Sequence, residues 1–320
     1  MTNFDFIAYK GKKKLPYVVT PPDLQGAALV ETHAHLDMLE DPTLALARAA
    51  HVGVTALLTL TDLSAGAELS YEMLDVWREG AQLLLDEHLE ERSAQLGNCR
   101  EVAAGADVTL RPLSDTYLIA GVHPHNARHY DAAMEKKLYR LVDDSRTVAI
   151  GEAGLDYYYD HSPRDIQQKI FARKLVVAQD VGLPVVIHLR DAHEDGLRIL
   201  EEVGVPDAGA VLHCYNREPA VAKPFLELGC SLGFGGPVTF KNALEVKEAA
   251  SAAPVDSLVL ETDCPFMAPQ PFRGQKCEPA HVLWVAEEIA SLRGLSLPDL
   301  ARETSATAAR VFNLPLGMGA

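Results

Sequence analysis

The chain is short of positive charge. Its 320 residues carry 29 Lys and Arg against 45 Asp and Glu, a formal net charge of −16. That balance argues against a non-specific nucleic-acid coat, which depends on neutralising many phosphates at once. No run of about 20 apolar residues occurs, so no membrane span is predicted. The N-terminus lacks a basic-then-apolar leader. Cysteine is sparse. Cys99, Cys214, Cys230, Cys264 and Cys277 are scattered, odd in number and without Cys-x-x-Cys spacing. Free thiols in a reducing cytoplasm are the simplest account, and a cytoplasmic location is expected. Low-complexity tracts, internal repeats and linker-like stretches are also missing. One domain spanning 1–320 is therefore expected, a length normal for an α/β barrel.

Against these absences stands one dense segment, Glu31-Thr32-His33-Ala34-His35-Leu36-Asp37, which follows the apolar run Ala27–Val30. On a strand, residues i and i+2 point to one face, so both imidazoles can reach one metal ion. Alone, such a pair is weak evidence. Four more ligand-type residues follow, each ending its own short apolar run: Glu152 after 147–151, His188 after 184–187, His213 after 210–212 and Asp263 after 258–262. A single His after an apolar run is more often a satisfied core histidine. Six such residues at run ends point instead to buried parallel strands delivering ligands to one rim.

Strand-like runs near 27–33, 54–60, 117–122, 147–152, 184–188, 209–213, 230–234 and 257–261 alternate with helix-like ones. The helical runs lie near 43–51, 69–91, 132–143, 164–181, 192–203, 217–228, 241–252, 279–293 and 297–311. This alternation predicts a TIM-like (β/α)8 barrel with its active site at the carboxyl ends of the strands, where the ligand-type residues already sit. Two segments look like additions. Residues 1–26 form an N-terminal extension with Lys10, Lys12, Lys13 and Lys14, expected as a solvated basic tail, with polyanion contact as the sharper alternative. Residues 64–116 form an insertion-bearing connection. In 69–91, Leu69, Met73, Val76, Trp77, Leu84 and His88 keep helical spacing and predict a long surface helix.

These motifs resemble the TatD-type metal-dependent deoxyribonucleases of the amidohydrolase superfamily. The matching segments are Glu31–Asp37, Gly121-Val-His-Pro-His125 and Gly151-Glu-Ala-Gly-Leu-Asp-Tyr157. Further on come Ile187-His-Leu-Arg-Asp-Ala192, Leu212-His-Cys-Tyr215, Glu261-Thr-Asp-Cys-Pro-Phe266 and Pro271-Phe-Arg-Gly274 with Glu278-Pro279. The likeness runs from about 27 to 313 apart from the 64–116 connection. One departure is Tyr215-Asn216-Arg217, where the family often has a Phe-Ser-Gly-like continuation. The resemblance implies a barrel hydrolysing phosphodiester bonds in DNA, often from the 3′ end. It also implies that His33, His35 and Asp263 hold one divalent metal ion, that His188 and His213 hold a second, and that Glu152 serves both. Two cations about 3.5–4 Å apart suit that reaction, neutralising phosphoryl charge and activating water. Imidazole with carboxylate suits Zn or Mn, and an oxygen-rich shell would suit Mg better. Asp263 is also expected to accept a proton from the attacking water, with Glu152 beside it in the catalytic set.

Other residues fall where substrate would lie. His123 and His125 are candidates for donating to a phosphate, with His123 bracing a metal ligand as the alternative. Arg190 and Arg273 are phosphate candidates, Arg190 having an ion pair with Asp191 or Glu194 as its blander reading. Tyr157 offers a face for base stacking, while packing is favoured for Tyr158 and Tyr159. Cys214 and Cys264 are read as small packing residues. The leading expectation is thus a 3′-5′ exonuclease favouring single-stranded DNA ends, with no obligate protein partner. The alternatives are a D-aminoacyl-tRNA deacylase or another ester or amide hydrolase built on the same residues, and a non-catalytic binding barrel.

Overall fold

A computed structural model describes residues 2–10, 14–66, 68–97 and 113–315. The chain begins with an antiparallel hairpin, β1 (Phe6–Lys10) paired with β2 (Leu15–Val19). Phe4, Phe6, Ala8 and Leu24 are buried. The Phe6 ring meets Trp284 edge-on at 5.0 Å, and the Arg48 guanidinium covers it at 4.3 Å. The described part of this extension is therefore not a loose tail, because Phe4, Phe6, Ala8 and Leu24 are spent on the core, although Tyr9, Leu15, Tyr17 and Val18 stay exposed. Lys10 and Lys14 are exposed, whereas Lys12 and Lys13 lie outside the described residues.

Eight parallel strands follow: β3 (Leu29–Ala34), β4 (Val54–Asp62), β5 (Asp115–Gly121), β6 (Thr147–Asp156), β7 (Val185–Arg190), β8 (Ala210–Leu212), β9 (Cys230–Phe234) and β10 (Leu258–Leu260). They pair in chain order. Helices α1 (Pro42–His51), α2 (Glu68–Gly97), α3 (Ala132–Leu141), α4 (Arg164–Val181), α5 (His193–Val203), α6 (Pro219–Glu227) and α7 (Leu244–Ala252) alternate with them. After β10 come α8 (Val282–Arg293) and α9 (Leu297–Phe312). Local chemistry sets many ends. Asp41 caps α1 by accepting from the Leu44 amide, and Asp131 caps α3 by accepting from those of Ala133 and Met134. Gly182 and Gly294 end α4 and α8 in the left-handed conformation.

The barrel closes between β10 and β3. Ala34 bridges Cys264 in parallel register. The Asp263 amide donates to the His33 carbonyl at 2.9 Å, and the His35 amide to that of Cys264 at 3.0 Å. Side chains stitch the same seam. Glu31 Oε1 accepts from the amides of His33 and Thr262, both at 3.0 Å, and the Thr32 hydroxyl donates to the Leu260 carbonyl at 3.0 Å. The result is the (β/α)8 barrel that the alternation predicts.

Strand alternation sorts the apolar residues into two layers. Leu29, Leu57, Leu118, Ile150, Val185 and Ile187 lie in the larger cluster, which also holds helix residues such as Phe171 and Leu175. Val30, Ala56, Leu58, Val148, Val186, Val211 and Val259 form the second, joined by Ala308, Val311 and Phe312 of α9. Five of these residues stand second in their strands, so the end of α9 plugs the amino end of the barrel and leaves the carboxyl end for chemistry.

Two sequence expectations need correcting. The buried face of α2 is Tyr71, Leu74, Ala81, Leu85 and His88, whereas Val76 is 56% exposed. The apolar spacing found the helix but set its face too far round, because Val76 is an apolar residue on the solvent side and Met73, Trp77 and Leu84 are only half-buried. That face meets the N-terminal extension, with Phe4 stacked on His88 at 3.9 Å. The remainder of the 64–116 connection, at 98–112, lies outside the described residues. β6 runs four residues past its expected end, since Gly154 and Asp156 keep pairing with His188 and Arg190.

Candidate metal centre

The six residues at the strand ends converge. His33 is the buried second-to-last residue of β3, and His35 follows two residues on, partly open. Glu152 lies within β6, His188 in β7, His213 one residue past β8 and Asp263 three past β10. Two glycines allow this. Gly154 has φ +140°, and a Cβ there would sit 2.0 Å from the His188 carbonyl oxygen. At Gly121 a Cβ would lie 2.4 Å from that of Gly151. Without side chains at these points, β5, β6 and β7 approach closely enough for Glu152 and His188 to share one site.

Glu152 divides the imidazoles. Its Oε1 faces His33 Nε2 at 3.4 Å and His35 Nε2 at 3.7 Å. Its Oε2 faces His123 Nε2, His188 Nδ1 and His213 Nε2, each at 3.3 Å. Asp263 Oδ1 lies on the first side, 3.3 Å from His35 Nε2 and 3.7 Å from His33 Nε2. On the second side His188 Nδ1 and His213 Nε2 are 3.0 Å apart. The groups His33, His35, Asp263 and His123, Glu152, His188 each bring three ligand atoms within 4.8 Å of one another.

The donor set fits divalent cations. His33 is 0% exposed, yet its Nε2 has no hydrogen-bond partner. Burial, helped by His213 alongside, lowers its pKa to about 4, leaving a neutral imidazole whose Nε2 faces two carboxylates. Burial would raise the Glu152 carboxyl, but His123, His213 and His188 outweigh it and hold the group well below the usual range. Asp263 is likewise pushed up by burial and pulled below its ordinary value by the hydrogen bond from His35. For His35 and His188 burial acts downward and is outweighed. Asp263 lifts His35 to about 9, and Asp156 with Glu152 lifts His188 to about 9. A proton on either ring would stand where a cation would bind, so metal uptake should release it.

The matching family model, TatD related DNase, covers residues 30–313. The chain belongs to the TatD family. It is 39% identical over 224 residues to a Bacillus subtilis (strain 168) protein described as the uncharacterized metal-dependent hydrolase YabD, a match covering 70% of this chain and 88% of that one. It is 30% identical over 296 residues to the uncharacterized metal-dependent hydrolase TatD of Mycobacterium tuberculosis (strain ATCC 25618 / H37Rv), covering 89% and 98%. A Klebsiella pneumoniae (strain 342) protein described as a 3′-5′ ssDNA/RNA exonuclease TatD is 32% identical over 206 residues, covering 63% and 78%. Among solved structures, the TatD homologue YJJV of Escherichia coli K12 superposes with TM-score 0.71 at 25% identity over 90% of this chain and 98% of that one. This chain is thus a metal-dependent hydrolase of the TatD family, and no described helix is long and apolar enough to cross a membrane.

Within this TatD-family site several residues went unassigned by sequence reasoning. Asp156 Oδ2 receives His188 Nε2 at 3.2 Å and His125 Nε2 at 2.9 Å, and so orients the ring whose other nitrogen faces Glu152. Asp62 Oδ2 accepts from the His123 amide at 3.1 Å. Glu261 stands behind His213, 3.8 Å from its Nδ1, and accepts from the Cys214 amide. Lys174, buried in mid-helix, donates to the carbonyls of Val122 and Glu152. Asp156 and Glu261 lie inside motifs quoted above, which was their only signal. Lys174 had none, because a lysine on an amphipathic helix reads as solvent-facing.

The substrate candidates divide. His123 joins the ligand cluster itself, and His125 is held by Asp156. Arg190 lies over the rings of Tyr158 at 4.2 Å and Tyr159 at 4.8 Å instead of pairing with Asp191 or Glu194. Both tyrosines are exposed, 60% and 50%, and so are not packed away. The Tyr157 hydroxyl bonds to Asp195 at 2.8 Å, and Arg164 covers its ring at 4.3 Å. Arg273 is exposed and sits over Phe240 at 4.0 Å, outside the ligand cluster. Cys264 is fully buried.

Proposed function

We propose that this TatD-family hydrolase cleaves phosphodiester bonds in DNA, as a 3′-5′ exonuclease favouring single-stranded ends. The observation that carries the reading is Glu152, whose two oxygens face separate sets of imidazoles. That division suits two divalent ions, one held by His33, His35 and Asp263, the other by His188 and His213, with Glu152 between. When bound, such ions neutralise phosphoryl charge and activate water at neutral pH. The mixed imidazole and carboxylate donors favour Zn or Mn over Mg. The description of the Klebsiella relative as a 3′-5′ ssDNA/RNA exonuclease supports the substrate class.

The chain's own groups then have distinct tasks. Asp263 stays ionised, and its side chain is 13% exposed, so it reaches the attacking water and takes its proton. Glu152, almost wholly buried, keeps its charge and fixes the two sets relative to each other. His123 and His125 stand on the second side, where a phosphate oxygen would lie. Arg190 donates no hydrogen bond among the described residues, so its fork is free for a phosphate. Tyr157, with its ring under Arg164 and its hydroxyl on Asp195, and Arg273, over Phe240, are left to contacts with the strand beyond the cleaved bond.

The test is digestion of 5′-labelled single-stranded oligonucleotides by metal-replete protein. Stepwise shortening from the 3′ end with release of mononucleotides is expected. Release of free D-amino acid from D-aminoacyl-tRNA without shortening of DNA would assign the same residues to an ester hydrolase. Full metal content with neither activity would leave a binding barrel.

A further inference from the structure

Exposed apolar side chains gather beside one half of the ligand cluster. Phe266 is 47% exposed, Met267 38% and Met38 52%. Each of Phe266 and Met38 stands three residues past a candidate ligand, on a turn closed onto that ligand's carbonyl. The Phe266 amide donates to the Asp263 carbonyl at 2.9 Å, and the Met38 amide to that of His35 at 3.1 Å. The Phe266 ring lies edge-on to His35, centroids 6.1 Å apart.

The turn carrying Phe266 is firmly held. Cys264 and Ala268 on either side are buried. The Cys277 amide donates to the Pro265 carbonyl at 3.0 Å, and the Gln270 amide to the Thr239 hydroxyl at 2.8 Å. Gly236 lets this turn settle, since a Cβ there would lie 1.8 Å from the Met267 carbonyl oxygen. An aromatic ring left nearly half exposed on a turn so held is preorganised for a planar apolar partner. With a net charge of −16, the chain gains little long-range attraction for DNA and needs short-range contacts at the site.

We propose that Phe266 is the platform on which an unpaired base next to the scissile phosphate stacks. The proposal rests on the DNA reading above and deepens it. A base inside a duplex is already stacked and paired, so this contact selects single-stranded ends. Phe266 is thus a specificity-determining residue, separate from the groups that hold metal or move the proton.

The experiment crosses enzyme variants with substrate variants. Wild type, Phe266→Ala and Phe266→Trp are assayed on a single-stranded oligonucleotide and on copies carrying an abasic site at either nucleotide flanking the first cleaved bond. Fluorescence anisotropy of the same oligonucleotides measures binding, and bound divalent metal is measured for every variant. Phe266→Ala should lower kcat/KM on the intact strand about tenfold, mainly through KM, at unchanged metal content. Removing the base at one flanking position should cost wild type a similar factor and Phe266→Ala much less. Phe266→Trp should restore the preference for a base. Equal losses on intact and abasic strands, or lowered metal content, would make Phe266 a structural support and overturn the proposal, as would no loss at all. If wild type cleaves both strands equally, the exonuclease reading stands and this inference fails. If it neither cleaves nor binds DNA, both fall together.

Discussion

Replacing Gly154 by alanine tests how closely β6 and β7 must approach to build the site. Two effects add. The φ of +140° is a conformation residues with a Cβ avoid, costing about 1–3 kcal/mol. The new Cβ would also lie 2.0 Å from the His188 carbonyl oxygen, where carbon–oxygen contacts normally stop near about 3.3 Å. The strands must therefore part by roughly 1 Å at the pair Gly154 and His188, adding overpacking of about 1–3 kcal/mol. The total is on the order of 2–6 kcal/mol. A displacement of about 1 Å at a catalytic group can cost ~10²-fold in rate, so activity and metal content should fall with stability. Gly182→Ala is the control. That residue has φ +67° with nothing within 4 Å of an added Cβ, so only the left-handed backbone is opposed, at about 1–2 kcal/mol. Urea denaturation, bound metal and phosphodiesterase rate are measured on both. If Gly154→Ala is no more destabilising than Gly182→Ala and keeps wild-type metal and activity, the close approach is not what positions Glu152 and His188.

Further outcomes are expected at the ligands. Purified protein should hold about two divalent ions per chain, and His33→Ala with His35→Ala should lower that number while circular dichroism stays native. Wild-type metal content in the double variant would remove those histidines from the ligand set. Asp263→Asn should cut activity at least ~10²-fold in saturating metal, and retained activity would end its role as proton acceptor. Oligonucleotide affinity should fall with salt with a shallow log–log slope on the order of −1 to −3, and Arg190→Met should flatten it by about 0.7. Short single-stranded 3′ ends should outcompete covalently closed duplex circles at matched phosphate. Rapid cutting of circles, or a steep slope, would point to an extended basic surface instead.

The barrel was legible because each of its eight strands is a short apolar run with a helical run beyond it, and because one strand end after another carries a ligand-type residue. Strand ends shifted where pairing continues through non-apolar residues, as at Gly154 and Asp156 in β6. The N-terminal extension was read from its lysines. Phe4 and Phe6 are too few and too widely spaced to announce a hairpin, and their partners His88 and Trp284 are far away in sequence. Around the site, six of the clustered side chains were visible from their place at the ends of apolar runs, whereas His123, read as a phosphate donor, stands in the cluster as well. Those behind them were not. Asp156, Glu261 and Lys174 act through contacts that only the folded chain creates, and a charged residue under a strand or inside a helix leaves no periodic trace. Arg190 was read against its sequence neighbours, while in the fold its company is Tyr158 and Tyr159 across the turn from β6.

The seam between β3 and β10 ties the architecture to its chemistry. The backbone groups of His33, His35 and Asp263 latch the first strand to the last, while their side chains form half of the ligand cluster. Any ion binding there would bridge the two strands that the chain brings together last in sequence, and occupancy would add to the force holding the cylinder shut. Evolution then meets a constraint unrelated to turnover. A descendant that abandoned catalysis could not freely discard these residues, because each one lost would also loosen the closure. Inert offshoots of such a barrel would be expected to keep an intact-looking site long after the selection for activity had gone.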